Sequence, residues 1–207
     1  MNNRPVIAGE RSRAGTPLWM MALACAGVVV LTGLIEACMG RRLFSASGKI
    51  LLWVSSTTSS ETSQQFFDWY SVTHVLHGMI MYGVIRWVGG WRKGGIALGT
   101  VLLITVGIEA AWEVAENSPV VINRYREATI ALGYTGDTIL NSMMDIACCM
   151  LGCVLAWRMP VWLTVTLAVS SEVILAILIR DNLTLNVLML LWPIDAVKHW
   201  QMGGGLF

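Results

Sequence analysis

Side chains that could do chemistry are concentrated in residues 68–145. This stretch contains seven of the 13 Asp and Glu residues and two of the three histidines of the chain. The segments around them are apolar enough to be membrane spans, where an ionisable side chain is costly and is by default a candidate for a functional site. The sequence therefore indicates where this protein does its work and leaves the kind of work open.

The spacing of these residues places them on shared helix faces. At about 100° per residue, three polar faces result, formed by His74 with His77, by Glu109, Glu113 and Glu116, and by Asp137, Asn141 and Asp145. With a rise of ~1.5 Å per residue, Glu109 and Asp145 lie roughly 10–12 Å inside the membrane boundary. Neither can face lipid there, so we expect each to face the interior of a helix bundle and to have a partner.

One hypothesis is a metal site. The His-x2-His and Glu-x2-Glu spacings put ligands on one face of a helix, as in bundles that build metal centres from facing helices. The predicted ligands are His74, His77 and Asp137. The cofactor is left open, with a divalent metal as the candidate. The sequence contains no His-x3-His or His-Glu-x2-His zinc motif and no serine-centred hydrolase motif, so it indicates no known class of enzyme.

A second hypothesis is acid–base chemistry on a substrate, in which burial raises the pKa of a carboxyl group into the range of a general acid or base. The predicted catalytic groups are Glu113, Glu116 and Asp145. The predicted substrate-binding residues are Arg124, Arg126, Asn141 and Arg180. A guanidinium fork matches phosphate or carboxylate, so the arginines would clamp an anionic head group.

A third hypothesis gives the acids a structural role, in which they pair with the arginines and hold the helices and the loop of residues 117–137 together. The protein would then be a non-enzymatic accessory subunit that docks a lipid, a membrane-protein partner or a second copy of itself. A transporter is a weaker alternative, because no internal repeat and no pair of broken helices is visible. Whether the chain is an enzyme is therefore left open.

The composition is that of a membrane protein. The chain has 207 residues, 56% of them hydrophobic and 13% charged, against about 25% charged in soluble proteins. A net charge of +1 without a basic run gives no sign of nucleic-acid binding. The expected surroundings are the lipid bilayer, with a lipid or its head group as a candidate partner.

Apolar segments of span length predict five transmembrane helices, at residues 17–38, 69–88, 95–116, 138–157 and 161–179. Residues 183–200 predict a sixth, irregular helix, because the apolar run there is only 12 residues long. The predicted fold is all-α, a polytopic transmembrane helix bundle of five to six spans. Residues 17–200 form one domain with polar loops 39–68 and 117–137, between a cytoplasmic tail, 1–16, and a C-terminal tail, 201–207.

The order of the spans brings the polar groups to one side of the membrane. Successive spans alternate in direction, so the starts of the second and fourth spans lie beside the ends of the third and fifth. Seven Lys and Arg residues fall on the side of the N-terminus and six on the opposite side, which favours a cytoplasmic N-terminus. We therefore predict a multi-pass membrane protein with a polar cavity that opens on the outer side of the membrane.

Five motifs carry a resemblance that covers most of residues 65–200. They are DWYSVTHVLHG at 68–78, WEVAENSP at 112–119, RYR at 124–126, GDTILNSMMD at 136–145 and RDNLTLN at 180–186. In these motifs the chain resembles an uncharacterised, domain-of-unknown-function family of alphaproteobacterial multi-pass inner-membrane proteins. The resemblance implies a location in a bacterial inner membrane, so that the polar cavity would open on the periplasmic side, and it implies no particular reaction. A looser likeness is to VanZ-like membrane proteins, which place an acid and a His at one helix start, a Glu on the next helix, and a later Asp with an Asn.

Overall fold

The computed structural model describes residues 17–90 and 96–203, which contain eight α-helices and one two-stranded sheet. The helices are α1 (Leu18–Cys38), α2 (Trp69–Gly89), α3 (Leu98–Glu116), α4 (Pro119–Ala128), α5 (Ile139–Arg158), α6 (Val161–Leu178), α7 (Leu183–Leu191) and α8 (Asp195–Met202). Strands β1 (Trp53–Val54) and β2 (Phe67–Asp68) pair in parallel within the loop before α2. The predicted cytoplasmic tail, and the last four residues of the predicted C-terminal tail, lie outside the described residues.

Four of the described helices, α1, α3, α5 and α6, are long and apolar enough to cross a membrane. Helix α2 contains 21 residues, the same number as α1. It carries two histidines and packs against α5. Helix α6 exposes apolar side chains along its length, as expected for a helix that faces lipid. The prediction of an all-α, polytopic membrane bundle is confirmed, and α2 is the helix that carries His74 and His77.

The predicted irregular sixth helix is present as two short helices, α7 and α8, separated by residues 192–194. Pro193 lies in this break, where it lacks the backbone N–H that a continuing helix would need. Helix α7 has nine residues, a length of roughly 13–14 Å at 1.5 Å per residue. It is therefore much shorter than the ~30 Å hydrocarbon core of a bilayer.

The predicted polar loop of residues 117–137 contains a helix that the sequence analysis did not expect. Helix α4 begins at Pro119, inside the segment that was predicted as a loop. Ser118 caps it, because the Ser118 hydroxyl accepts the Val121 N–H at 3.4 Å. A serine followed by proline is a known helix start, since proline is tolerated in the first turn.

Two glycines let α2 and α5 approach until their backbones touch. A Cβ atom at Gly78 would overlap the carbonyl oxygen of Cys149, and a Cβ atom at Gly152 would overlap the carbonyl oxygen of Val75. Small residues at helix crossings in membranes allow this kind of close packing. The close approach brings the polar face of α2 against that of α5.

The start of α2 is fixed by a capping box at Asp68. The Asp68 carboxylate accepts the backbone N–H groups of Tyr70 and Ser63, both at 2.8 Å, while the Asp68 N–H donates to the Ser71 hydroxyl at 3.2 Å. This arrangement satisfies N–H groups that the first helical turn leaves unpaired. It also sets the position of the two histidines that follow within the next three turns.

We expect Gly78→Ala to lower the stability of the detergent-solubilised protein, because the added methyl group meets the backbone of α5 and forces the helices apart. Overpacking of this kind costs about 1–3 kcal/mol, which a fall in the melting temperature would report. Gly83→Ala is the matched control on the same helix, since a Cβ atom there has nothing within 4 Å. Equal melting temperatures for the two variants would contradict the close crossing.

Candidate functional site

The centre of the polar cluster is His74, which is buried between carboxylates from two other helices. Its Nδ1 atom lies 2.5 Å from Glu109 Oε1 and 3.4 Å from Glu113 Oε1, both on α3. Its Nε2 atom lies 3.8 Å from Asp145 Oδ2 on α5. His74 therefore joins the second, third and fifth helices through one imidazole.

His77 shares a carboxylate with His74. Its Nδ1 atom lies 3.2 Å from each carboxylate oxygen of Glu109, and its ring meets the His74 ring edge-on with centroids 5.1 Å apart. One buried carboxylate thus holds two imidazoles by their Nδ1 atoms. A histidine held through Nδ1 keeps Nε2 for chemistry or for a metal.

Several carboxylate oxygens of the cluster have no hydrogen-bond partner. These are both oxygens of Glu113 and the Oδ1 atom of Asp145, in side chains that are 0% and 4% exposed. A buried charged oxygen without a partner is costly, so native structures nearly always supply a proton, a water or an ion. The cluster contains three carboxylates and only two imidazoles, so its negative charge can be balanced by a cation.

The cluster forms one end of a cavity of about 650 Å³. His74, His77 and Asp145 line this cavity, whereas Glu109 and Glu113 lie behind them in the bundle. Its other polar lining comes from the Ser and Thr residues of the segment 57–63, from Thr129 and Thr135, and from Tyr70, Thr73, Glu116, Tyr125, Tyr134, Asp137, Asp181, Asn186 and Gln201. The volume is within the range of small-molecule sites, about 300–1,000 Å³.

Two sets of side chains in the described residues have the geometry to hold a metal ion. One is His74, His77 and Glu109, and the other is His74, Glu113 and Asp145; within each set, one ligand atom per residue lies within 4.8 Å of the others. Imidazole and carboxylate donors suit divalent zinc, iron or manganese. The second set offers the unpartnered oxygens of Glu113 and Asp145, so its chemistry fits a metal better than that of the first.

Asp137, a predicted metal ligand, lies on the cavity wall but belongs to neither of these sets. Its carboxylate accepts the hydroxyl of Tyr134 at 3.0 Å and the side-chain amide of Asn117 at 3.2 Å. Burial raises the pKa of Asp137 to about 6 and raises the pKa of Tyr134 well above its usual value. Asp137 is thus part of a hydrogen-bonded network beside the histidine cluster.

The predicted substrate-binding residues lie outside the cavity walls. The guanidinium groups donate to backbone carbonyls: Arg124 to Leu190 at 2.8 Å, Arg126 to Tyr134 at 2.5 Å and Arg180 to Trp200 at 2.8 Å. The Asn141 side chain donates to the carbonyl of Gln65 at 3.1 Å. In the described residues these four side chains join separate segments of the backbone, and each ion pair within 4 Å joins a histidine to an acid.

The sequence predicted that Glu109 faces the bundle interior with a partner, but Glu109 was not among the predicted site residues, although it holds both imidazoles. The signal was present, because Glu109 shares a helix face with Glu113. Sequence reasoning also missed Gln201 on α8, a buried cavity residue with no distinctive spacing in the sequence. Only the fold brings that residue to the site.

Residues 36–203 match the model of a family described as "Protein of unknown function (DUF2585)". The chain is 46% identical to a UPF0314 protein of Sinorhizobium fredii over 96% of this chain and 98% of that relative. It is 46% identical to a UPF0314 protein of Sphingopyxis alaskensis (96% and 100% covered) and 44% identical to one of Paracoccus denitrificans (92% and 94% covered). No solved structure matches the chain. The looser likeness to VanZ-like proteins stays a prediction.

We expect Asn117→Ala to destabilise the protein, because the buried Asn117 side chain accepts the Asp137 N–H at 2.7 Å and donates toward the Asp137 and Glu36 carboxylates. Leaving buried groups unpaired costs about 1–3 kcal/mol. Asn123→Ala, at an exposed position of α4, is the control and should change stability by less than ~0.5 kcal/mol. Thermal unfolding in detergent measures both variants, and equal effects would rule out a structural role for Asn117.

Proposed function

We propose that this chain, which belongs to the DUF2585 family, is a membrane-embedded enzyme that binds a divalent metal through His74, Glu113 and Asp145. It would use the metal for acid–base chemistry on a lipid-borne or envelope substrate in the adjoining cavity. The observation that carries the proposal is that Glu113 Oε1 and Asp145 Oδ2 approach one imidazole, while both Glu113 oxygens and Asp145 Oδ1 are buried without a hydrogen-bond partner. The bilayer location is supported by the four helices of span length and apolarity.

The first supporting argument is the charge balance of the cluster. Three carboxylates and two imidazoles are buried together, and removing carboxylates from water costs several kcal/mol each unless they are well paired. A divalent cation restores the balance and satisfies the orphaned oxygens together. Protons would balance the negative charge only by neutralising the carboxylates one at a time.

The second argument is the geometry of His74. Glu109 accepts from Nδ1 at 2.5 Å, which fixes the orientation of the ring and directs Nε2 toward Asp145 and the cavity. Carboxylate–histidine–metal arrangements of this kind are common, because the outer carboxylate sets the tautomer and strengthens the ligand. His74 Nε2 and Asp145 Oδ2 lie 3.8 Å apart. To share a metal with bonds of about 2.0–2.2 Å, these two atoms would have to move only a few tenths of an ångström closer together.

Two of the proposed metal ligands are also accessible from the cavity. His74 and Asp145 line the cavity, so a metal that these residues held would be within reach of a substrate there. Such an ion would supply an acidified bound water or polarise a substrate oxygen. Glu116, one helical turn beyond Glu113 and on the cavity wall, is then the acid–base group. This assignment makes Glu113 and Asp145 ligands and leaves Glu116 as the catalytic carboxyl.

The position of the site relative to the membrane follows from the same proposal. The cavity is built from the starts of α2 and α5, the end of α3 and the segment after α6, which lie at one end of the bundle. The distribution of Lys and Arg residues supports a cytoplasmic N-terminus. The cavity would then open on the periplasmic side of a bacterial inner membrane, where envelope substrates are found.

A second candidate function is that of a non-enzymatic accessory subunit. It is favoured by the many polar side chains that serve the fold, such as Asn141 on the Gln65 carbonyl and Arg124 on the Leu190 carbonyl. Under this alternative the histidine cluster only holds α2, α3 and α5 together. An anionic head group at exposed Arg126 stays a prediction for the outer surface of the protein.

Metal content tests the proposal. We expect protein purified in detergent without chelator to contain about one transition-metal ion per chain, and His74→Ala and Glu113→Gln to lose at least nine tenths of it. Glu127→Gln, at an exposed position of α4, should retain the metal. Each variant is first checked for a cooperative melting transition.

A metal-free wild-type protein would contradict the metal proposal. So would a metal that remains bound in a folded Glu113→Gln variant and in a folded His74→Ala variant. If the variants also lose abundance or fail to assemble with co-purifying proteins, the accessory-subunit alternative is favoured.

A further inference from the structure

Asp181, in the segment between α6 and α7, forms part of the cavity wall. Asp181 is only 2% exposed and lines the cavity together with Tyr70 and Gln201. Its Oδ2 atom accepts the Tyr70 hydroxyl at 3.1 Å, and its Oδ1 atom accepts the Gln201 side-chain amide at 3.0 Å and the Asn182 N–H at 2.9 Å. These donors, with the Asn186 side chain as a further hydrogen-bonding neighbour, orient the carboxylate but leave its negative charge without a cation within 4 Å among the described residues.

Gln201 adds an acceptor that the protein itself does not use. Its Nε2 atom is committed to Asp181, and its Oε1 atom is buried with no hydrogen-bond partner, in a residue only 3% exposed. A buried amide oxygen without a donor is costly. Asp181 and Gln201 therefore form a pair of acceptors on one wall of the cavity, and they call for a ligand that donates hydrogen bonds.

The basic side chains that line the cavity in the described residues are His74 and His77, which contact Glu109, Glu113 and Asp145 rather than these acceptors. Four acids, Glu116, Asp137, Asp145 and Asp181, are among the residues that line it in the described part of the chain, and neither Lys nor Arg is. The basic residue next to Asp181 in sequence is directed elsewhere. Arg180 adopts a left-handed backbone conformation with φ of 54°, and its guanidinium donates to the Trp200 carbonyl and lies 5.6 Å from the Trp200 ring.

We infer that Asp181 and Gln201 bind a primary ammonium group of the substrate. An ammonium group has three N–H donors and a positive charge, which matches one carboxylate oxygen, one amide oxygen and the acid-rich wall. Tyr70, Tyr125 and Trp112 also line the cavity, and aromatic faces attract cations. The inference rests on the proposed function only in taking the cavity as the substrate site, and it does not depend on the metal.

The ammonium group could come from a lipid head group or from a soluble amine, and the experiment separates these sources. The protein in phosphatidylcholine nanodiscs is titrated with lysophosphatidylethanolamine, with lysophosphatidylglycerol, which lacks the amine, and with free ethanolamine. We expect the ethanolamine lysolipid to bind at least tenfold more tightly than the glycerol lysolipid. Free ethanolamine that binds as tightly as the lysolipid would place the amine on a soluble substrate.

Variants of the wall connect this preference to the proposed residues. Asp181→Asn should reduce the preference for the amine to less than twofold, whereas Asp195→Asn, which removes an exposed acid outside the cavity, should leave it unchanged. Gln201→Leu removes the orphaned oxygen and should reduce the preference at least threefold. If Asp181→Asn lacks a cooperative melting transition, the Gln201→Leu variant decides.

Equal binding of the two lysolipids by the wild type, or no binding of any of the three probes, overturns the inference. A preference for the amine that survives both substitutions overturns it as well. Metal content is measured on the same preparations and should not change in Asp181→Asn. If a variant keeps its metal but loses the preference for the amine, the result supports this inference separately from the metal proposal. If the wild type contains no metal but still prefers the amine, the metal proposal fails and this inference is supported.

Discussion

The burial of His74 among carboxylates is the constraint on which the rest of this structure depends. An imidazole 2.5 Å from Glu109 and 3.8 Å from Asp145 joins three helices inside an apolar bundle, where unpaired charge is costly. The pairing requires α2 to lie directly against α5, which glycines at positions 78 and 152 allow. It also requires α2 to begin at a fixed residue, which the Asp68 cap provides.

The polar loops at this end of the bundle depend on the same arrangement. Asn117 connects the end of α3 to Asp137 at the start of α5, and Asn141 connects α5 to the loop before α2. Within that loop, the Gln65 side chain donates to Glu61 and to the Lys49 carbonyl. These contacts hold one face of the cavity rigid, which a site that positions a metal or a substrate needs.

The sequence predicted the elements with strong periodic signals and missed those that depend on tertiary contacts. Long apolar runs predicted the spans, and helical spacing predicted that His74, Glu113 and Asp145 face one interior. Helix α4 was missed because a ten-residue polar helix has no apolar run. The sequence signal for this helix was its start, where Ser118 is followed by Pro119. The grouping of His74 with Glu109 rather than with Asp137 depends on how deep each helix sits, which spacing alone does not determine. The partners of Arg124 and Arg180 are backbone carbonyls, and no side-chain pattern encodes those.

The most direct test of the metal-centred account is X-ray absorption spectroscopy of the purified protein at the edge of the metal it contains. The account predicts a first shell of nitrogen and oxygen atoms at about 2.0–2.2 Å, with outer-shell imidazole scattering that His74→Ala removes. A sulfur shell at about 2.3 Å would instead place the metal at cysteines such as Cys148 or Cys149, beside Asp145 on α5. That result, or the absence of any metal edge, would contradict a centre built from His74, Glu113 and Asp145.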